Sequence, residues 1–487
     1  MEGLTGMEKH FKFSNLVIHL FLLLLAWQLA KRIATFDLQT HDIILFCALL
    51  TGAIGVLLNK PYWFVAVTII FWQEFFLFQK GEPLGYAIPF GFLNISDVFV
   101  LVWAMIFVLQ FIKGKATFPG GFVKKFFIGY SLFIGGYVIY SVVMFGAGPK
   151  DLFNQLRYWM YLYAFFPMIN TIRNEDDLNG LLRSILVLLV PFVMLSLFLY
   201  FSDARITWSY LQHYNPLEGS RIASGFIQSR NPSPTVALAF IFLVSYVAFF
   251  GLRSMKRIDI YVFPVSLFLI NIITTFGRAF LSAVMVGIFL ALVLVRKVRG
   301  KGVIGAAVVL VIITIAVLVP LNRYFSAVDA LQARFQEGVI DITRTEGTFG
   351  DRVTKALRGI REHPTAGTGF WAGRTLGRYQ PVYFRVMLES FWGQYILRFG
   401  GLGLIFFFVF FIGFFRFIYR TIAMTHNELH QAFLIGFLGY LVGGLFWGIA
   451  SAAVFLRAHG MAIIVLMLVV TYKVYEFNAG KLTNSRG

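Results

Sequence analysis

A single cysteine, Cys47, lies inside an apolar run, so neither a disulfide framework nor a thiolate metal site can be assembled. Charge is scarce as well: Asp, Glu, Lys and Arg make up 13% of the 487 residues, about half the share of a soluble domain. No GxxxxGK[ST] loop, HExxH pair or His/Cys/carboxylate set with metal-ligand spacing occurs, which argues against an ATP-driven pump. An Asp-x-Asp pair facing outward for a divalent ion is also missing, so chemistry without metal or cofactor is expected. Solenoid repeats, low-complexity tracts and a separate soluble domain are absent.

What the chain has is apolar surface. Hydrophobic residues reach 59%, aromatics 18%, and the mean hydropathy is +0.77. Runs such as LVIHLFLLLLAWQLA (Leu16–Ala30) and FLSAVMVGIFLALVLV (Phe280–Val295) recur at about the 20-residue length that spans a hydrocarbon core. The alternation of a β-barrel is not seen. The expected fold is therefore an all-α polytopic membrane protein. Spans are expected near 13–30, 42–59, 61–78, 94–112, 126–146, 152–170, 181–201, 233–251, 259–275, 278–295, 303–320, 389–415, 430–448 and 453–472, about 14 in all with a range of 12–14. The first run follows Lys9 and Lys12, lacks a small-residue cleavage site, and reads as a first helix rather than a signal peptide.

The net charge of +19 raises the question of nucleic acid. Its distribution answers that: Lys113, Lys115, Lys124 and Lys125, then Arg253, Lys256 and Arg257, then Arg296, Lys297, Arg299 and Lys301, then Arg416 and Arg420, then Lys473, Lys481 and Arg486 sit in short connectors. These are the retention signals of the positive-inside rule, and they put both termini in the cytoplasm, with Lys31 and Arg32 the one short basic pair left outside.

Two connectors, 201–232 and 321–388, are too long for simple turns and fall on the outer face. The chain thus divides into N-terminal spans (1–200), central spans with the first outer loop (201–320), the large outer loop (321–388), and C-terminal spans with a tail (389–487). Within the large loop, Val353, Ala356, Leu357 and Ile360 recur at helical spacing opposite Arg352, Lys355, Arg358 and Glu362. Asp351 suits an N-cap and Pro364 a stop, so a short amphipathic helix with a cationic face is expected at the membrane surface.

Ionisable groups at membrane depth mark polar cavities or partners. Arg157, Arg278, Arg398, Arg457 and Glu389 are the ones to explain, and for Arg157 and Arg457 snorkelling or pairing with carbonyls competes with a functional role. Arg278, in TTFGRAFLSA, opens a span whose N-terminal amides would join its guanidinium in an anion site, or is a polar cap with no ligand. Arg221 and Arg230, nine residues apart in the first outer loop, would suit a diphosphate with Arg278, or are ordinary loop arginines. Arg352 and Arg358 bring more cations, and Gly367 and Gly369 permit a close backbone approach. His363 is an acid–base candidate or a helix-end cap, and Glu389 a general base or a helix N-terminal charge.

The segments TTFGRAFLSAVMVGIFLALVLV, DRVTKALRGIREHPTAGTGF and ESFWGQYILRFGGLGLIFFFVFF resemble, in order and spacing, the O-antigen ligase and O-antigen polymerase superfamily, over residues 220–415. The resemblance implies a GT-C-type glycosyltransferase of the bacterial plasma membrane that takes a glycan from undecaprenyl diphosphate at the outer face. It implies diphosphate binding by Arg230 or Arg221 with Arg278, aided by Arg352, Arg358 and Arg398, and deprotonation of the acceptor by Glu389 or His363. Its partners would be the lipid-linked oligosaccharide, membrane lipid and a chain-length regulator. Ligases of the superfamily carry a His-Asn type pair where this chain has Glu389 and Ser390, which favours a polymerase over a ligase. A polysaccharide transporter is the alternative from another class, and the lack of paired repeats with broken helices argues against it.

Overall fold

The computed structural model describes residues 60–73, 95–202, 221–223, 226–228, 236–252, 262–274, 278–299, 367, 369–371, 391–450, 455 and 458–484, with 307, 310, 311, 314 and 315. The expected spans at 13–30 and 42–59, and most of 303–320, lie outside these residues. The described helices are α1 (Tyr62–Phe71), α2 (Ile95–Ile112), α3 (Gly121–Phe145), α4 (Pro149–Met160), α5 (Phe165–Thr171), α6 (Glu175–Ser202), α7 (Val236–Leu252), α8 (Val262–Thr274), α9 (Arg278–Arg299), α10 (Phe391–Met424), α11 (Glu428–Ala450) and α12 (Ala458–Asn484). Among the described residues, six helical segments are long and apolar enough to cross a membrane, with four shorter apolar helices beside them, the architecture of a multi-pass membrane protein.

Local chemistry sets the helix ends. Gly146 ends α3 in the left-handed region, and Pro149 starts α4 at a position where its missing N–H costs nothing. The Asn174 side chain accepts from the Asp177 amide at 2.7 Å, and Glu175, Asp176 and Asp177 in the first turn of α6 complement the helix dipole. Hydropathy alone places that helix start at 181, because those acidic residues are not apolar. Asn427 caps α11 in the same manner, through the Leu429 amide at 3.0 Å.

Two expected spans are not continuous helices. The span expected at 152–170 is α4, a 3₁₀ turn over Tyr161–Ala164, and α5. The span expected at 389–415 folds back on itself. Gly400 (φ 58°, ψ −155°) divides α10 into two limbs, and the Phe391 ring lies 5.3 Å from that of Phe407, although 16 residues of straight helix would separate them by about 24 Å. Trp392 and Tyr395 also reach Phe407, at 5.3 and 5.5 Å. Residues 391–399 therefore form a re-entrant limb against the span that follows. Non-helical backbone at such depth is tolerated where it is buried in protein.

Contacts between helix ends give the topology. Asn170 at the end of α5 holds Thr117 between α2 and α3, His430 at the start of α11 meets Asn179 near the start of α6, and Lys297 near the end of α9 lies over the Tyr419 ring of α10. All of these sit at one end of the bundle, together with Lys113, Lys115, Lys124, Lys125, Arg416 and Arg420. This is the basic end; the Trp72–Ser96 contact and the α3 terminus mark the far end.

At the centre, α11 is buried on nearly all sides and packs against α7, α9 and α10. The sequence Gly439–Tyr440–Leu441–Val442–Gly443 lets the backbone of α9 come close: a Cβ on Gly439 would lie 3.0 Å from the Gly287 carbonyl oxygen, and one on Gly443 would overlap the Ala283 carbonyl. Between α6 and α7, β1 (Arg221–Ala223) and β2 (Phe226–Gln228) form an antiparallel hairpin in register Arg221 with Gln228.

Gly443→Leu should wedge α9 from α11 and cost about 1–3 kcal/mol, lowering the thermal midpoint in detergent. Gly136→Ala, where a Cβ meets nothing within 4 Å, should leave the midpoint unchanged or raise it.

Candidate functional site

The polar groups at the far end of the bundle gather around three helices. Asp97, in the first turn of α2, accepts a 3.0 Å hydrogen bond from the Tyr161 hydroxyl and lies 3.6 Å from an Arg157 Nη1. Both side chains of the ion pair are less than a tenth exposed. Trp72 stacks on Tyr161 at 4.8 Å and donates from Nε1 to the Ser96 carbonyl, closing one side, while Phe153 lies under the Arg157 guanidinium at 5.3 Å. A buried guanidinium needs such partners, since the desolvation cost of an isolated charge exceeds what apolar packing returns. Arg157 therefore does more than snorkel: it is anchored to a carboxylate on another helix. Asp97 and Tyr161 were not singled out in the sequence, although Asp97 stands inside the apolar run NISDVFVLVWAM and is an ionisable group at span depth.

Two residues further along α4, Trp159 connects this cluster to the Gly367–Phe370 segment of the large loop. Phe370 is fully buried between Trp159 (6.2 Å) and Phe399 (5.5 Å). Its amide donates to the Ser141 hydroxyl at 2.8 Å, and the Gly367 carbonyl accepts from the Tyr140 hydroxyl at 3.1 Å. Gly369 adopts φ 65°, and a Cβ there would overlap the Ser141 hydroxyl, so only glycine fits. The glycines after His363 thus serve to dock the loop's end into the far side of α3. Tyr137, one turn below, donates to the Phe399 carbonyl at 2.6 Å, next to the Gly400 fold-back.

Arg398 is half-buried on the re-entrant limb, next in sequence to Phe399. Arg278 is the first residue of α9 and Arg221 the first of β1. Arg230, Arg352, Arg358, His363, Glu389 and Arg457 lie outside the described residues. The candidate groups among the described residues are therefore the Arg157–Asp97 pair, the Gly367–Phe370 anchor packed on Trp159, and Arg398 on the limb that carries Phe399. Among the described residues, no group of three or more His, Cys, Asp or Glu side chains could hold a metal ion.

Trp159 and Tyr395 also form the upper wall of an apolar cavity of about 720 Å³ that continues between α3, α10, α11 and α12. Phe126, Phe391, Phe407 and Phe455 line it. Its lining is almost wholly hydrocarbon and aromatic. No protein-family model matches the chain, and no curated protein matches it.

Asp97→Asn should leave Arg157 buried beside a neutral amide and destabilise the protein by about 3–5 kcal/mol. Pairing it with Arg157→Met should recover part of that loss, with a coupling of about 0.5–3 kcal/mol in a double-mutant cycle of detergent unfolding. Tyr137→Phe should deprive the Phe399 carbonyl of its donor and cost about 1–3 kcal/mol by the same assay.

Proposed function

We propose that this chain is a membrane glycosyltransferase that polymerises undecaprenyl-diphosphate-linked oligosaccharide repeat units into a surface polysaccharide at the outer face of the bacterial plasma membrane. The observation that carries the reading is the juxtaposition of two unlike surfaces. On α4, Trp159 lines an aromatic cavity two residues from Arg157, which is paired with Asp97, and on the re-entrant limb Tyr395 lines it three residues from Arg398, so cationic positions and a hydrocarbon-lined space share the same two segments. The concentration of basic residues at the opposite end supports an outward-facing site through the positive-inside rule.

In this reading an acceptor hydroxyl attacks the anomeric carbon of the donor sugar, the bond to the diphosphate oxygen breaks, and the diphosphate leaves on its polyprenyl chain. Guanidiniums at Arg278, Arg398 and either Arg221 or Arg230 stabilise the charge that builds on the leaving oxygens, each well-placed donor being worth roughly 3–4 kcal/mol in other enzymes. Glu389 or His363 takes the proton from the hydroxyl. Arg157 is held by Asp97 and positions the α4 face that receives the docked loop. No nucleotide enters the scheme, because the energy of transfer is already stored in the diphosphate linkage.

The purified protein, given the undecaprenyl-diphosphate-linked repeat unit alone, should produce a ladder of multiples of that unit on gels and by mass spectrometry. Arg278→Ala and Glu389→Gln should each reduce the rate by at least a hundredfold while leaving the thermal midpoint near that of the parent. Transfer that begins only when a lipid-core or protein acceptor is added would identify a ligase instead, and silence under every condition would point to transport.

A further inference from the structure

A second cavity, of about 570 Å³, lies at the basic end of the bundle between α6, α7, α8 and α11. Leu186, Phe242, Phe249, Pro264, Phe268 and Phe433 make its wall hydrocarbon-like, and the one charged residue on it is Arg183. Arg183 stands eight residues beyond Glu175 in α6, about 12 Å along the helix from its start, within an apolar segment fit to cross a membrane. Its side chain is exposed, and among the described residues it makes no hydrogen bond or ion pair. Ser245, also on the wall, is buried with its hydroxyl unpartnered among the described residues.

A guanidinium at this depth meets lipid rather than bulk water, and it is costly without an anion. The anion within its reach at the basic end is the phosphate of a phospholipid, toward which an arginine side chain extends. The acidic first turn, Glu175, Asp176 and Asp177, lies between Arg183 and the aqueous side, so a free anion approaching from water would be repelled. A phosphate brought in from the bilayer by its own acyl chain would not take that route. We propose that this cavity binds one anionic phospholipid, its phosphate on Arg183 and an acyl chain along the Phe242–Phe268–Phe433 wall, fastening α6 to α7, α8 and α11. The site is separate from the cavity lined by Trp159 and Tyr395 and independent of the transferase reading.

Native mass spectrometry of the detergent-purified full chain, titrated with phosphatidylglycerol and in parallel with phosphatidylcholine, tests this. The parent should retain one phosphatidylglycerol more tightly than any phosphatidylcholine, and Arg183→Gln should weaken that binding about tenfold, the loss of one charge-assisted contact. Leu186→Trp, which fills the cavity and leaves the arginine in place, should weaken it as well. Equal retention of phosphatidylglycerol by parent and Arg183→Gln, or equal affinity of the parent for the two lipids, would overturn the proposal. So would a rise in thermal midpoint with millimolar inorganic phosphate that depends on Arg183 while phosphatidylglycerol gives none.

Discussion

Wherever the backbone of this bundle departs from a regular helix, it must find hydrogen-bond partners without help from water, and α3 supplies them. Tyr130, Tyr137 and Ser141 are spaced seven and four residues apart, so they share one face of that helix, and all three are buried. Tyr130 donates to the Trp159 carbonyl just before the 3₁₀ turn that interrupts the α4–α5 span. Tyr137 serves the carbonyl at the Gly400 fold-back, and Ser141 receives the amide at the end of the large loop. A span broken in the middle, a re-entrant limb and a docked loop are each made tolerable by one hydroxyl on the same stripe.

That stripe also explains why the candidate site lies where it does. The three irregular segments converge on Phe399, whose ring touches Tyr137, Trp159 and Phe370 at 4.9, 5.2 and 5.5 Å. The segments that meet there also carry Arg157, paired with Asp97, and Arg398, and their Trp159 and Tyr395 line the large cavity. Edge-to-face aromatic packing fixes the height of each segment relative to the others, and so sets the boundary between a charged region and a hydrocarbon one. A lipid-linked anion bound across that boundary would be read at both of its ends.

Much of this was legible in the sequence, and the reasons for the rest are physical. Apolar runs and basic connectors announced the helices and their alternating direction, because burial in lipid is a property of composition over about 20 residues. The Gly400 break was hidden because a glycine within FGGLGLIFF does not alter hydropathy, and the fold-back is decided by Phe391 and Trp392 finding α11 and Phe455. The α3 stripe was hidden because tyrosine counts as apolar, although the recurrence of hydroxyls at Tyr130, Tyr137 and Ser141 was there to be found. Asp97 is one polar residue at the edge of an apolar run, so hydropathy does not mark it, yet an aspartate at span depth calls for a cation, and Arg157 supplies it. Gly367 and Gly369 were read for close approach, and the surface they approach is Ser141 and Tyr140.

The central claim is that one amphiphile occupies the far-end arginines and the aromatic cavity together. Photolabelling tests it most directly: an undecaprenyl diphosphate with a photoreactive group in its isoprenoid tail is irradiated with the purified protein, and the adducts are mapped by peptide mass spectrometry. Adducts concentrated on the segments holding Phe126, Phe407 and Leu468, and competed away by unlabelled undecaprenyl diphosphate, are the expected result. Labelling confined to lipid-facing residues such as Leu132 and Val143, with no competition, would contradict it.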